Sequence, residues 1–190
     1  MPERISEFGR YGATGIEGHK AVARQLDSHL DYIVTPVTTP RGWLARLHYL
    51  TRTNRARAAA RAAGLTVTDA TIRAWLDGKR GPSKRNLTRI DEAYRTVRRH
   101  NVSRHLLTRL NRAGRGTRVE IHPLNQSGVD RPRQRVVEFR TLTVRHWDRI
   151  VAAWAEQDDR ALDEAWVEKI VDLGSQWGKY HWVTNVGFAA

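Results

Sequence analysis

The chain has 190 residues, 33 of them basic and 20 acidic, so it carries a net charge of +13, and its 40% hydrophobic content is that of a globular protein. The absence of cysteine excludes disulfides, thiolate metal sites and thiol nucleophiles, and is typical of a reducing cytoplasm. No apolar run approaches the roughly 20 residues of a membrane-spanning helix, and residues 1–10 lack an export signal, so we expect a cytoplasmic protein with no membrane partner.

Residues 1–39 are predicted to form an N-terminal arm that contains one helix. After a glycine-rich start, apolar residues recur at helical spacing at Val22, Leu26, Leu30 and Ile33. We interpret the arm as a cap or as a contact between the subunits of a homodimer.

Residues 40–113 are predicted to form a helical domain. Apolar spacing indicates helices over 43–50, 55–63, 70–76 and 83–97, with a last amphipathic piece over 102–110. Thr39 and Pro40 are a helix-start signal, and Gly64 and Gly78 are natural helix ends. The turn between the second and third helices is about two residues longer than the tight version, and Thr66 and Thr68 are available there as caps.

Most of the excess positive charge lies in this part of the chain. Between Arg41 and Arg115 there are nineteen basic and four acidic residues, a net charge of +15, whereas the remainder sums to −2. Such a block repels itself, and the usual reason to keep it is a polyanionic partner, because each neutralised phosphate releases condensed counterions. The charge therefore predicts a polyanionic partner. Together with the motif described next, it leads us to expect double-stranded DNA in the nucleoid.

The second and third helices of this domain form a helix-turn-helix pattern. Ala60 lets the two helices approach closely, and Ile72 and Trp75 are expected to pack the third helix onto the second. The residues predicted to face the major groove at the start of the recognition helix are Thr68, Thr71 and Arg73. The other predicted DNA-binding residues are cations: Arg55 and Arg57, and the predicted phosphate contacts Lys79, Arg80, Lys84 and Arg85. The alternative is a plain helical bundle with a solvated basic face.

Residues 114–190 are predicted to form a small α+β domain. Val119 and Ile121 mark one strand, a second runs through Val137 to Leu142, and a third covers residues 180–188. Two helices with apolar stripes, marked by Trp147, Trp154 and Trp166, lie between the second and third strands. The predicted fold class is therefore α+β, with an N-terminal helix-turn-helix domain followed by a small antiparallel sheet packed with two helices.

No enzyme signature accompanies these elements. The HExxH, Walker A and GxGxxG patterns are missing, and the eight histidines show no convincing metal-ligand spacing. A nuclease that uses Asp148 or Glu156 is the least favoured alternative, because catalytic carboxylates usually come from different elements that converge on a cleft. We therefore expect no metal, no cofactor and no catalytic activity of the chain itself.

The elements in this order resemble the Tpg-type telomere terminal proteins of linear actinobacterial chromosomes and plasmids. The resemblance covers roughly residues 41–188. In the first half it rests on GWLARLHYL, RAAARAAG and TIRAWLDGKRGPS, and in the second half on TRVEIHPL and VVEFRTLTVRHWDRIVAAW. It is a match of layout and motif types rather than of long identical stretches.

The resemblance implies a protein that binds telomeric DNA and becomes covalently attached to its 5′ end. It would offer a side-chain hydroxyl on which a DNA polymerase places the first nucleotide, with the polymerase and a telomere-associated protein as partners. The loop Pro123 to Arg133 matches the connection between two strands, and Ser127 is its only hydroxyl, so Ser127 is the candidate priming residue. Two alternatives stay open: Ser127 and Gly128 form only a turn, or the protein is a transcriptional or plasmid-maintenance regulator with a C-terminal dimerisation domain.

Overall fold

The structure is a computed structural model that describes residues 5–189. Within that range it contains seven α-helices and one four-stranded antiparallel sheet, which confirms the predicted α+β class. The chain forms two compact units: a helical unit, Leu30–Val102, and a sheet unit, Met1–His29 with Ser103–Ala190. No helix of the described range is both long and apolar enough to span a bilayer.

The strands and α-helices follow one another in this order: β1 (Ile16–Glu17), α1 (Gly18–Asp27), α2 (Pro40–Thr51), α3 (Asn54–Ala62), α4 (Asp69–Leu76), α5 (Lys84–Asn111), β2 (Thr117–Pro123), β3 (Arg140–Val144), α6 (Asp148–Glu156), α7 (Asp159–Ile170) and β4 (Trp182–Phe188). Short 3₁₀ segments cover Ile5–Tyr11, Arg112–Gly114, Arg131–Arg133 and Val171–Tyr180.

Threonine caps begin α2, α3 and α4. The Thr39 hydroxyl accepts a hydrogen bond from the Gly42 N–H at 3.1 Å, and Pro40 opens α2. Thr53 and Thr68 cap α3 and α4 in the same way. The predicted helices of this unit are confirmed, except that the two pieces predicted over 83–97 and 102–110 are one continuous helix, α5.

The core of the helical unit forms where the apolar faces of its helices meet. Its buried side chains come from α2, α3, α4 and α5 and from the turn after α3, and the largest of them are Trp43, Leu47, Leu50, Leu65, Ile72, Trp75, Ile90 and Tyr94. Side chains of residues 32, 33 and 37, which precede α2, pack against the same core. The helical unit therefore begins about ten residues before its first helix.

The sheet unit has the strand order β1-β4-β2-β3. Val119 and Ile121 of β2 and Val186 of β4 are fully buried, whereas Arg118 and His122 are exposed, so one face of the sheet packs on the core and the other faces solvent. Helix α1 packs against β4 and α7, and α6 packs against α7. The predicted burial of tryptophans is confirmed, with Trp147, Trp154 and Trp166 among the largest fully buried side chains.

The structure does not support the predicted arm over residues 1–39 as a separate segment. Strand β1 pairs with β4 through Ile16↔Val183 and Glu17↔Trp182, so the residues up to His29 belong to the sheet unit. The helix ends at Asp27 instead of continuing to Ile33, because the apolar residues beyond it pack in the helical unit. The division within α5, between Val102 and Ser103, also differs from the predicted boundary after residue 113.

The second strand of the sheet begins later than predicted. Val137 and Phe139 precede β3, which starts at Arg140. Val137 packs against a small cluster that includes Phe8 and Leu124, so its apolar character serves that cluster and not a strand. Three of the four strands were predicted, and β1 was missed because two residues are too few to show alternation.

Candidate nucleic-acid interface

Packing of α4 through one face leaves its other face available to a partner. Ile72 and Trp75, which are 8% and 2% exposed, pack in the core of the helical unit with Ala60 of α3. Consequently Thr68 and Arg73 are exposed and Thr71 is half-buried. These three residues were the predicted contacts to bases: Thr68 caps α4, Thr71 lies in its first turn and Arg73 in its last turn.

The turn between α3 and α4 is anchored by a buried leucine. Gly64 adopts a φ of 96°, and the next residue, Leu65, is 1% exposed and donates its N–H to the Ala60 oxygen at 2.9 Å. The extra length therefore carries an apolar side chain into the core. Thr68 caps α4, which confirms one of the two predicted caps, whereas the Thr66 hydroxyl accepts a hydrogen bond from Arg89 at 3.5 Å.

A chain of hydrogen bonds connects Arg80 to the start of α4. One terminal nitrogen of Arg80 donates to the Thr71 hydroxyl at 3.0 Å, and this hydroxyl lies 3.0 Å from that of Thr68. The Thr68 oxygen also accepts from the Thr71 N–H at 3.2 Å. Arg80 was predicted as a phosphate contact, and the structure holds it beside the residues predicted to read bases.

The other predicted cations fall into two groups. Three make intramolecular contacts: Arg73 Nε donates to the Asp69 backbone oxygen at 3.4 Å, Arg57 Nε to the Thr51 oxygen at 3.1 Å, and Lys79 pairs with Asp77 at 3.0 Å. The remaining ones are exposed and form no ion pair with any described residue: Arg55, Lys84 and Arg85. The latter group is available to bind phosphates without breaking an existing contact.

A groove beside α4 brings two of these arginines together. It has a volume of about 300 Å³ and is lined by Thr51, Arg57, Asp69, Ile72, Arg73 and Leu76. Asp69 in its wall also pairs with Arg61 at 2.6 Å. The helical unit as a whole has fifteen basic and five acidic residues. Its net charge is therefore +10, out of +13 for the whole chain, and the groove belongs to the more positive of the two units.

A buried arginine supports this interface from behind, and sequence reasoning missed it. Arg46 of α2 is 4% exposed and donates to the Asp91 carboxylate at 2.7 Å and to the backbone oxygens of Thr35, Gly42 and Ile33 at 2.8, 2.9 and 3.0 Å. It thereby joins the segment before α2 to α5. The available signal was its place between Trp43 and Leu50 on the apolar stripe of α2.

The acidic partner of Arg46 is held in its ionised form. Partial burial of the Asp91 carboxylate opposes ionisation, but hydrogen bonds from Arg95 and Arg46 outweigh it and keep the pKa of Asp91 below its usual value. Arg95 donates to the second oxygen of the same carboxylate at 2.8 Å. Asp91 therefore stays charged at neutral pH and continues to hold Arg46.

The candidate priming residue lies in the sheet unit, at the tip of a turn. Ser127 and Gly128 are the central residues of a β-turn closed by the Val129 N–H donating to the Gln126 oxygen at 2.9 Å. Ser127 is exposed, its N–H donates to Asn125 Oδ1 at 2.9 Å, and its hydroxyl makes no hydrogen bond to any described residue. The predicted turn is present, and it presents the hydroxyl to solvent.

The residues before α1 hold this turn in place. Asn125 and Thr14 exchange two backbone hydrogen bonds, at 2.9 and 3.1 Å. Gly12 and Gly128 approach so closely that a Cβ atom on either would collide with the carbonyl oxygen of the other. Val129 is buried with Phe8 in the same small cluster. The sequence could not indicate this, because the two contacting segments are more than 100 residues apart.

The carboxylates considered for a nuclease do not converge. Asp148 begins α6 and Glu156 ends it, so the two residues lie about 12 Å apart along the helix axis. Among residues 5–189, no group of three or more His, Asp or Glu side chains is arranged to hold a metal ion.

No protein-family model matches the chain, and no curated protein or solved structure is similar enough to count as a relative.

Proposed function

We propose that this protein binds duplex DNA through α3, α4 and the start of α5, with α4 as the recognition helix in the major groove. The observation that carries the proposal is the division of α4 into a face packed by Ile72 and Trp75 and a face that exposes Thr68 and Arg73. The net charge of +10 on the helical unit supports it, because a phosphate backbone is the partner that such a charge favours.

The salt dependence of DNA binding tests this proposal. With about 6 to 10 phosphate contacts, each releasing about 0.9 counterions, the slope of log K against log salt should be about −5 to −9. We expect Lys84→Gln and Arg85→Gln each to make the slope shallower by about 1 on every duplex sequence, because both side chains are exposed in the first turn of α5. Fluorescence anisotropy of labelled duplexes between 50 and 200 mM salt measures this.

Arg160 provides a matched control for the same titration. It is an exposed arginine of α7, beside Glu164, and its replacement by glutamine should leave the slope unchanged. A slope close to zero in the unaltered protein, or an equal effect of all three variants, would contradict a DNA-binding surface at α4 and the start of α5.

We further propose that the protein acts at the ends of linear DNA as a protein primer of the terminal-protein type, with Ser127 as the acceptor. A DNA polymerase would bring the metals, the base and the deoxynucleoside triphosphate. The Ser127 oxygen would form a bond to the α-phosphorus, the bond from that phosphorus to the bridging oxygen would break, pyrophosphate would leave and the base would take the hydroxyl proton. The exposure of an unbonded hydroxyl on an anchored turn supports this role.

Incubation of the protein with its polymerase, template and a labelled deoxynucleotide tests the priming role. We expect a label that survives denaturation, that is lost completely in Ser127→Ala and that is kept in Ser127→Thr, because threonine retains the hydroxyl. Thr141→Ala and Thr143→Ala are matched controls, since both hydroxyls are exposed on the neighbouring β3.

Thr117, a third hydroxyl of the region, is a poor acceptor because it is 5% exposed and donates to the Leu110 oxygen at 2.7 Å. A label that persists in Ser127→Ala would remove Ser127 from the proposal. The absence of any label, combined with a preferred palindromic site whose half-sites lie about one helical turn apart, would favour the regulator instead.

A further inference from the structure

A pocket in the sheet unit, apart from the surfaces described above, combines an apolar floor with a cationic rim. Its volume is about 340 Å³, within the usual range for small-molecule sites. We call the apolar Leu106 and Leu110 of α5 and Phe188 of β4 its floor, and the exposed Arg109 and Arg112 with the half-buried Gln25 its rim. The other lining residues are His29, Thr117 and Ala189.

The floor of this pocket is held in place by packing. Leu106 and Leu110 are 2% and 5% exposed. The ring of Phe188 lies edge-on to the ring of Trp147, with centroids 4.9 Å apart, and Trp147 is fully buried. A flat apolar group in the pocket would therefore meet a surface that is already ordered.

The rim depends on an unusual backbone. Arg112, Ala113 and Gly114 follow α5 with φ values of 44°, 53° and 88°, and only the last of these residues is a glycine. L-residues in this region carry strain, and such positions cluster where a ligand is clamped. Hydrogen bonds from the Arg115 N–H to the Arg112 oxygen at 3.2 Å and from the Gly116 N–H to the Asn111 oxygen at 3.0 Å hold the segment. Arg112, the first of these positions, lines the same pocket as Arg109 of α5.

We propose that this pocket binds a nucleoside phosphate. Two guanidinium groups at one rim match the oxygens of a phosphate, which arginine recognises with paired hydrogen bonds. The leucines and Phe188 would cover the flat base, and the Gln25 amide can hydrogen-bond a base edge. The ligand could be a free nucleotide or the phosphorylated end of a DNA strand. Nucleotide binding at this pocket would extend the proposed DNA function. The pocket lies in the sheet unit, however, and its ligand can be tested independently of duplex binding.

Isothermal titration calorimetry of the full chain with the four deoxynucleoside 5′-monophosphates tests this assignment. We expect the affinity to fall by about tenfold in Arg109→Gln and by about tenfold in Arg112→Asn, because each change removes a charge-assisted contact to phosphate. Asparagine is chosen at residue 112 because it tolerates a positive φ. Unphosphorylated deoxynucleosides should bind more weakly and be insensitive to both changes, whereas Phe188→Leu should weaken both classes of ligand.

Arg145→Gln is the matched control, since Arg145 is an exposed arginine of the same unit that does not line the pocket. Short single strands with and without a 5′-phosphate identify the source: capture of the phosphorylated strand assigns a strand end, and binding of monophosphates alone assigns a free nucleotide. No binding at millimolar monophosphate, or binding that the double variant Arg109→Gln/Arg112→Asn leaves unchanged, would overturn the proposal.

Nucleotide binding by a variant of the DNA-binding surface keeps this result separate from the DNA-binding proposal. Arg73→Gln should retain nucleotide binding if the pocket is the site, even where duplex recognition is lost. Circular dichroism melts of each variant establish that the fold is retained.

Discussion

Replacement of Arg46 by methionine is expected to lower the free energy of unfolding of the helical unit by about 3–5 kcal/mol. Methionine can occupy much of the space of the buried stem, but it donates no hydrogen bonds. The backbone oxygens of Ile33, Thr35 and Gly42 would lose a donor in the interior, at about 1–3 kcal/mol each where no water replaces it. Arg95 would still pair with Asp91, so the loss falls mainly on these carbonyl groups.

Arg95→Met is the matched control for this prediction. It removes a guanidinium from the same carboxylate, but the Arg95 side chain is 55% exposed and that of Arg46 is 5% exposed. An exposed ion pair contributes about 0–1 kcal/mol, so Arg95→Met should have a small effect. Urea unfolding, monitored through the amide hydrogen exchange of residues 30–102, measures the free energy of unfolding of the helical unit in the two variants. Equal losses would contradict a special role of the buried network.

The hydrogen bonds of Arg46 bear on the proposed DNA binding because they fix α2, against which α4 packs. Trp43, Leu47 and Leu50 of α2 share one core with Ile72 and Trp75 of α4. A helical unit that opens locally would present α4 without a fixed orientation, and contacts to base edges require that orientation. We therefore expect duplex affinity of the Arg46 variant to fall steeply at temperatures where the helical unit begins to unfold.

Local chemistry made much of the helical unit predictable from sequence. The caps Thr39 and Thr68 and the turn residue Gly64 each act within four residues of their own position, so their effect can be read from neighbouring letters. The two-residue β1 strand and the Gly12 to Gly128 contact depend on partners more than 100 residues away. Such pairings leave no periodic pattern and were not predicted.

The candidate site divides in the same way. The outward face of α4 follows from helical periodicity, since Ile72 and Trp75 determine which side is buried. The burial of Arg46 and the attachment of Arg80 to Thr71 follow from tertiary packing, in which a charged residue finds carbonyl or hydroxyl partners. Composition alone could indicate that the unit is basic, but not which cations are already engaged.

Arg80 and Arg73 are expected to read base sequence, whereas Lys79 is expected to act only on the phosphate backbone. Arg80 is held by Thr71 at the start of α4, so its remaining guanidinium donors are oriented beside the recognition face. A bidentate contact between arginine and guanine discriminates by about 1–3 kcal/mol. We therefore expect Arg73→Gln and Arg80→Gln together to reduce affinity for a preferred duplex by about 2–6 kcal/mol, with a much smaller loss on unrelated sequences.

Selection of preferred duplexes from a random pool, followed by competition binding, measures this difference. Lys79→Gln is the control. The Lys79 ammonium pairs with Asp77 and is expected to contact only phosphates, so its loss should weaken binding to all sequences alike. Thr71→Val keeps the side-chain shape and removes the hydroxyl that holds Arg80. If Arg80 reads bases from that position, Thr71→Val and Arg80→Gln should be non-additive on the preferred duplex and additive on others. Additive losses on every sequence would return Arg80 to the phosphate contacts, because its attachment to α4 would then carry no sequence information.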